Sequence, residues 1–204
     1  VVDKEKYYTG LIKDIKIVAY ARFNKIRRLK RNNFLGLLSI SVVSILVIIL
    51  SIVEKIYNIK TMSLIPLFEP NIEIWFFCIL ASIIILCISI ALSTMKIDIE
   101  IEKLNKSAVE LNEVRRKIEF NIENSNYQNS TLFDKYLEII KSDLINHDEV
   151  DYKINKYLVS KVGSKFAYYR MYFIDQNFTS IFYLFITFLS FSSIISIILQ
   201  VMLK

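Results

Sequence analysis

The chain has 204 residues, 54 % of them hydrophobic, with a net charge of +6 and only three Gly, two Pro, two Cys and one His. So few Gly and Pro favour long uninterrupted helices over sheets with tight turns. Gly10, Gly36 and Gly163 stand far apart, which excludes a Gly-rich phosphate loop, and a single His beside no Cys or Ser nucleophile offers neither a metal site nor a catalytic triad.

The first 33 residues read as an amphipathic helix, with Tyr8, Ile12, Ile15, Ala19, Phe23 and Ile26 at spacings of four, three, four, four and three. Residues 1–33 hold ten Lys or Arg against three acids, residues 54–73 two against three, and residues 96–177 thirteen against fourteen. The excess positive charge therefore precedes the first apolar run. Arg22, Arg27, Arg28, Lys30 and Arg31 form a basic cluster suited to lipid phosphates at a membrane surface. The apolar stripe either dips into the headgroup layer or packs on the chain's own helices.

Three stretches, Phe34 to Val53, Ile74 to Met95 and Phe178 to Leu203, contain no Asp, Glu, Lys, Arg or His. Each matches the ~20 residues a helix needs to cross a hydrocarbon layer of about 30 Å. The expectation is an all-α integral membrane protein, multi-pass, with three transmembrane helices and cytoplasmic helical extensions. The positive-inside rule places the N-terminus in the cytoplasm. By alternation, 1–33 is cytoplasmic, 34–53 spans, 54–73 is an extracytoplasmic loop, 74–95 spans, 96–177 is cytoplasmic and 178–203 spans, as one structural domain. No cleavable leader is visible, so the first span is expected to be its own insertion signal. The chain begins at Val, which leaves room for residues upstream.

The spans carry hydroxyl-bearing stripes: Ser41, Ser44 and Ser51 in the first, Cys78, Ser82, Ser89 and Ser93 in the second, and Thr187, Ser190, Ser193 and Gln200 in the third. Such residues either let helices approach and hydrogen-bond or, in an assembly of several copies, line a water-filled path. Cys78 and Cys87 lie nine positions apart on opposite faces of one helix and cannot pair with each other there. The absence of intramembrane charge disfavours an ion or proton relay.

After Met95 the helix is expected to run on into the cytoplasm, because no Gly or Pro intervenes. Ile97, Ile101, Leu104, Ala108, Leu111, Ile118 and Ile122 follow a heptad seam, interrupted only at Arg115. The seam packs on helices predicted over 131–145 and 149–175, or joins copies of the chain. Asp98, Glu100 and Glu102 read as a solvated helix exterior, and His147 as part of a solvated turn. Gly163 is a candidate hinge, and Tyr168, Tyr169, Tyr172 and Phe173 mark the approach to the third span at a water–lipid boundary.

A basic amphipathic helix with Tyr20, Arg22, Ile26, Arg28 and Leu29, a Ser-rich first span, a short outer loop, a second span and a long returning helix together resemble the SLATT family. The likeness runs from about Tyr7 to the cytoplasmic helices. These are bacterial two-transmembrane effector domains found beside nucleotide-synthesising, nucleotide-sensing or reverse-transcriptase modules. The resemblance implies an antiviral effector of the bacterial inner membrane that permeabilises it when a soluble partner senses infection, causing growth arrest or abortive infection. The third hydrophobic segment is additional to the two-span description. The leading expectation is an oligomeric, pore-forming or membrane-disrupting effector gated by such a partner, acting on the lipid bilayer without catalysis or cofactor. The alternative is a non-conducting scaffold that recruits a soluble partner through 96–177. Nucleic-acid binding is disfavoured, because the basic residues adjoin a span.

Overall fold

A computed structural model describes residues 4–62, 72–124, 130–142 and 147–202. Their helices are α1 (Lys4–Tyr57), α2 (Ile74–Thr94), α3 (Ile97–Glu123), α4 (Ser130–Ser142), α5 (Glu149–Ser160), α6 (Lys165–Arg170) and, after five residues of π-helix at Met171–Asp175, α7 (Phe178–Met202). Outside the described residues lie 63–71 of the 54–73 connection, 125–129 of the polar stretch, 143–145 of the predicted 131–145 helix, Asn146 and Leu203. Three helices are long and apolar enough to cross a membrane, as the three runs required.

The boundary drawn at 33/34 is not a break. α1 runs through it for 54 residues and stops at Tyr57, where Asn58 takes a left-handed φ of 52°, the conformation that commonly closes a helix. The expected continuity after Met95 fails for a related reason. Lys96 has φ 43°, so α2 and α3 are separate helices. A left-handed non-Gly residue costs about 1 kcal/mol, and Asp98 and Glu100 in the first turn of α3 favour a new N-terminus. Those two acids were the available signal. At Lys161 and Gly163, φ is 56° and 127°, and α5 ends there. A small sheet also forms where none was expected: β1 (Thr61–Met62) pairs antiparallel with β2 (Ile72–Glu73).

The chain divides into two compact units, one drawn from Val1–Lys30 and Ile97–Asn177, the other from Arg31–Lys96 and Phe178–Lys204. In the first, Leu11, Ile15 and Ala19 of α1 pack with Leu111, Val114 and Ile118 of α3 and Ile139 of α4. The N-terminal apolar stripe is thus covered by the chain's own helices. Of the two readings left open for it, internal packing is the one this unit displays.

In the second unit, Leu46, Leu50 and Val53 of α1 meet Ile59, Met62, Ile74 and Ile197. Gly36 faces Leu92, and the Cys78 thiol lies 4.0 Å from the Val47 carbonyl, so α2 runs antiparallel to α1. Ser39 meets Thr187 and Asn32 meets Ser180 at the same separation of 148 positions, so α7 runs parallel to α1.

Candidate functional site

Helices in lipid gain no hydrophobic advantage from touching, so close packing and shared hydrogen bonds hold them together. The α1–α7 contact is built this way. The Arg31 Nε–H donates to Ser180 Oγ at 2.9 Å, and the Ser180 hydroxyl donates to Asn32 Oδ1 at 2.6 Å. Two turns further along α1, the Ser39 hydroxyl reaches the Tyr183 carbonyl and Thr187 Oγ1, both at 3.0 Å. Gly36 permits this approach: a Cβ there would stand 3.0 Å from Leu92 Cδ1 and 3.2 Å from the Tyr183 ring. Ser39 was absent from the predicted stripes, although its place three residues after Gly36 puts both on one helix face.

The candidate pore-lining residues separate into two groups. Ser190 and Ser193 are buried and donate to carbonyls four residues back, while Thr187 is half-buried against Ser39. Gln200 is half-buried, and its Oε1 has no hydrogen-bond partner. By contrast, Ser41, Ser51 and Ser82 are exposed, with their hydroxyls turned to carbonyls of their own helices, as is that of half-buried Ser44. Ser93 is also exposed and Ser89 half-buried. The three stripes therefore do not converge within one chain: Ser190 and Ser193 of α7 are buried, whereas Ser41 and Ser51 of α1 and Ser82 and Ser93 of α2 are exposed. Cys78 and Cys87 are both free thiols.

In the other unit, a cluster of charges joins α1 to α3 and α5. Lys25 Nζ lies 2.8 Å from Glu100 and 3.2 Å from Asp148. Arg28 pairs with Asp148 and, at 2.8 Å, with Asp151, which is 0 % exposed. Arg22, also buried, donates to Ser107 of α3. Positions 22, 25 and 28 share one helix face. Glu100 and Asp148 therefore do more than coat a solvated surface, contrary to the expectation for α3 and for the turn at His147.

Burial disfavours the charged form of both aspartates, and they respond differently. At Asp148 the hydrogen bonds from Arg28 and Lys25 overcome burial and hold the carboxyl below its ordinary range. At Asp151 burial prevails over Arg28 and pushes the carboxyl up. For Lys25, burial is outweighed by its bonds to Glu100 and Asp148, which raise the ammonium. His147 stacks on Tyr152 at 5.0 Å, and burial, reinforced by the Arg22 charge, lowers its pKa.

The predicted membrane-surface basic cluster is accordingly divided. Arg22 and Arg28 are engaged inside this unit, Arg27 bonds Asn24, Arg31 bonds Ser180, and Arg27, Lys30 and Arg31 remain exposed. The candidate oligomerisation seam is occupied within the chain. Leu104, Ala108, Leu111 and Ile118 are buried, and Ile97, Ile101 and Ile122 half-buried. Arg115 does not interrupt the seam, because Val114 fills that position at 1 % exposure while Arg115 pairs with Glu119 at 2.9 Å. An assembly through this seam would require these helices to part.

Residues 4–202 match the family described as SMODS and SLOG-associating 2TM effector domain family 5. The match takes in all three candidate spans, α7 included. Neither a curated protein nor a solved structure matches the chain.

Proposed function

Because the chain belongs to the SLATT family of SMODS and SLOG-associating 2TM effector domains, we propose that this membrane effector of an antiviral conflict system acts by making the bacterial inner membrane leaky. Its N-terminus and the 97–177 helices lie in the cytoplasm, where a partner's signal reaches them. Several copies turn the outward hydroxyls of α1 and α2 toward a shared water path, and no catalysis is involved. The observation that carries this reading is the exposed polar face of α2, with Ser82 and Ser93 outward on an otherwise apolar helix. A path with no ring of charges would discriminate poorly between ions and collapse the membrane potential.

The α1–α3–α5 ion pairs supply a restraint. They tie the N-terminal half of α1, the helix that continues as the first span, to two helices of its unit. A signal that separates Lys25 and Arg28 from Asp148 would release that hold.

The test is induced expression in bacteria with a voltage-sensitive dye, comparing the natural chain with Ser82→Leu/Ser89→Leu/Ser93→Leu. Depolarisation by the natural chain and none by the inserted variant is the expected result. Equal depolarisation by both overturns a path lined by α2. A second reading, a scaffold that recruits a soluble partner, draws on Phe120, 65 % exposed among the charges of α3. Normal potential in both strains, with partner capture that Phe120→Asp abolishes, would favour it.

A further inference from the structure

Between α5 and α7 the chain presents a surface whose composition suits neither water nor a protein core. Val162, Phe166, Tyr169, Phe173 and Ile174 are 64, 79, 55, 59 and 55 % exposed. Five large side chains this open in thirteen residues form a patch of the kind that marks an interaction site. Lys161, Lys165 and Arg170 are exposed among them, with Asp175, 3.7 Å from Arg170, as the acid nearby in sequence.

The patch is held in place from behind. Tyr157 of α5 stacks on Tyr168 of α6 at 4.6 Å, and Tyr168 stacks on Tyr172 of the π-helix at 5.9 Å. Tyr169 stacks on Phe173 at 6.2 Å on the outward side. Gly163, at φ 127°, and the left-handed Lys161 turn the chain out of α5. The π-helix is anchored by the Gln176 backbone N–H, which donates to the Met171 carbonyl at 2.8 Å, and by the Asn177 side-chain amide, which donates to the Tyr172 carbonyl at 2.6 Å. Wide turns of this type re-aim side chains and recur at functional positions.

We propose that residues 161–175 form a collar that lies in the bilayer interface, inserts Phe166 and Phe173 among the acyl chains, and binds anionic lipid headgroups through Lys161, Lys165 and Arg170. Two observations select a lipid surface as the occupant. The segment runs directly into α7 at Phe178, so chain continuity keeps it at the boundary the third span must cross. Its chemistry also matches that boundary: tyrosines with one wet end, apolar rings beside them, and cations able to reach phosphate. A soluble partner would have to cover rings that border the bilayer. The proposal goes beyond the leak reading, needing only that α7 crosses the membrane, and assigns the effector a dependence on anionic lipid.

The test uses the full chain, one copy per nanodisc, with Cys78 and Cys87 replaced by Ala and a fluorescent probe on Phe166→Cys. A probe on Leu184→Cys of α7 serves as the inserted reference. Discs contain phosphatidylcholine alone or with phosphatidylglycerol, and carry a shallow spin-labelled lipid as quencher. Quenching of the Phe166 probe that strengthens with phosphatidylglycerol, and is mostly lost in Lys161→Glu/Lys165→Glu/Arg170→Glu, is the expected result. A probe reached by aqueous iodide and not by the lipid quencher overturns the proposal, as does one shielded from both. Lipid quenching indifferent to phosphatidylglycerol and to the charge reversal overturns the headgroup assignment. None of these readings depends on conductance, so failure of the leak mechanism and failure of the collar are separately visible.

Discussion

Ser39 of α1 and Thr187 of α7 hold their hydroxyl oxygens 3.0 Å apart, in a contact that also engages the Tyr183 carbonyl. A hydrogen bond between helices in lipid contributes about 0.6 kcal/mol, so close approach at this point matters more than the bond. Ser39→Ala should cost about that amount, whereas Gly36→Leu, forced against Leu92 and Tyr183, should cost several times as much. Thermal unfolding in detergent, followed by circular dichroism, checks the order. A Gly36→Leu protein as stable as Ser39→Ala would refute the close contact.

Asp148 and Asp151 should differ although both pair with Arg28. Asp148→Asn weakens the bonds of two cations, with an expected loss of about 1.5–3 kcal/mol. Asp151→Asn keeps a hydrogen-bonding oxygen beside Arg28 and removes a carboxylate whose charge burial opposes, so it should cost less at pH 7. Because the Asp151 pKa is raised in the fold, its contribution is fully present below the unfolded value and is lost as pH rises through the folded one. The cost of Asp151→Asn should therefore grow on acidification. Denaturation of both variants at pH 7 and pH 5 provides the comparison.

His147 makes the opposite contribution. Its pKa is lowered by burial and by Arg22, so its stabilisation is present above the unfolded value of about 6.5 and falls away as pH drops through the folded one. Asp148 adds a loss at still lower pH, since its carboxyl is also held below its ordinary value. Between pH 7 and pH 5 His147 should pull the melting temperature of the natural chain down, against the upward pull of Asp151. A His147→Asn variant should lack that downward pull, and an identical slope in both would show that His147 is not responsible.

Leu111 and Ile118, each 0 % exposed in the core of α1, α3 and α4, should cost about 2–5 kcal/mol when cut to Ala. The Arg115–Glu119 pair lies on the partly exposed side, and Arg115→Ala should cost less than about 0.5 kcal/mol. Chemical denaturation of the three variants tests whether Arg115 lies outside the seam that Leu111 and Ile118 build.

Sidedness can be read with single cysteines in a background free of Cys78 and Cys87. Lys60→Cys should react with an impermeant maleimide on intact cells, and Lys103→Cys only after the inner membrane is opened. The reverse pattern would invert the proposed orientation.

The three apolar runs were legible because a span needs only length and the absence of charge. Their internal packing was not. Ser39 looks like any other serine of its helix until Gly36 brings Tyr183 close, and the outward Ser82 and inward Ser190 have the same local sequence signature. The heptad seam was legible as a periodicity, but whether its partner was the same chain depended on pairings more than ninety residues apart. The ion cluster was hidden because Glu100 and Asp148 resemble ordinary surface acids, although bases at 22, 25 and 28 on one face offered a clue. The break at Lys96 lay beyond rules that look for Gly and Pro, and only the acids that follow it gave notice.

The antiparallel pairing of Thr61 with Glu73 and Met62 with Ile72, with the Ile74 amide donating to the Lys60 carbonyl at 2.9 Å, fastens the end of α1 to the start of α2. The segment between these clasped ends can change in length at little cost, since doubling a closed loop adds only about 0.6 kcal/mol. Two helices and their clasp thus form a frame that tolerates a change in the length of the connection. An affinity epitope grafted between Met62 and Ile72 should leave the frame intact and give a handle for isolating the effector from its native membrane.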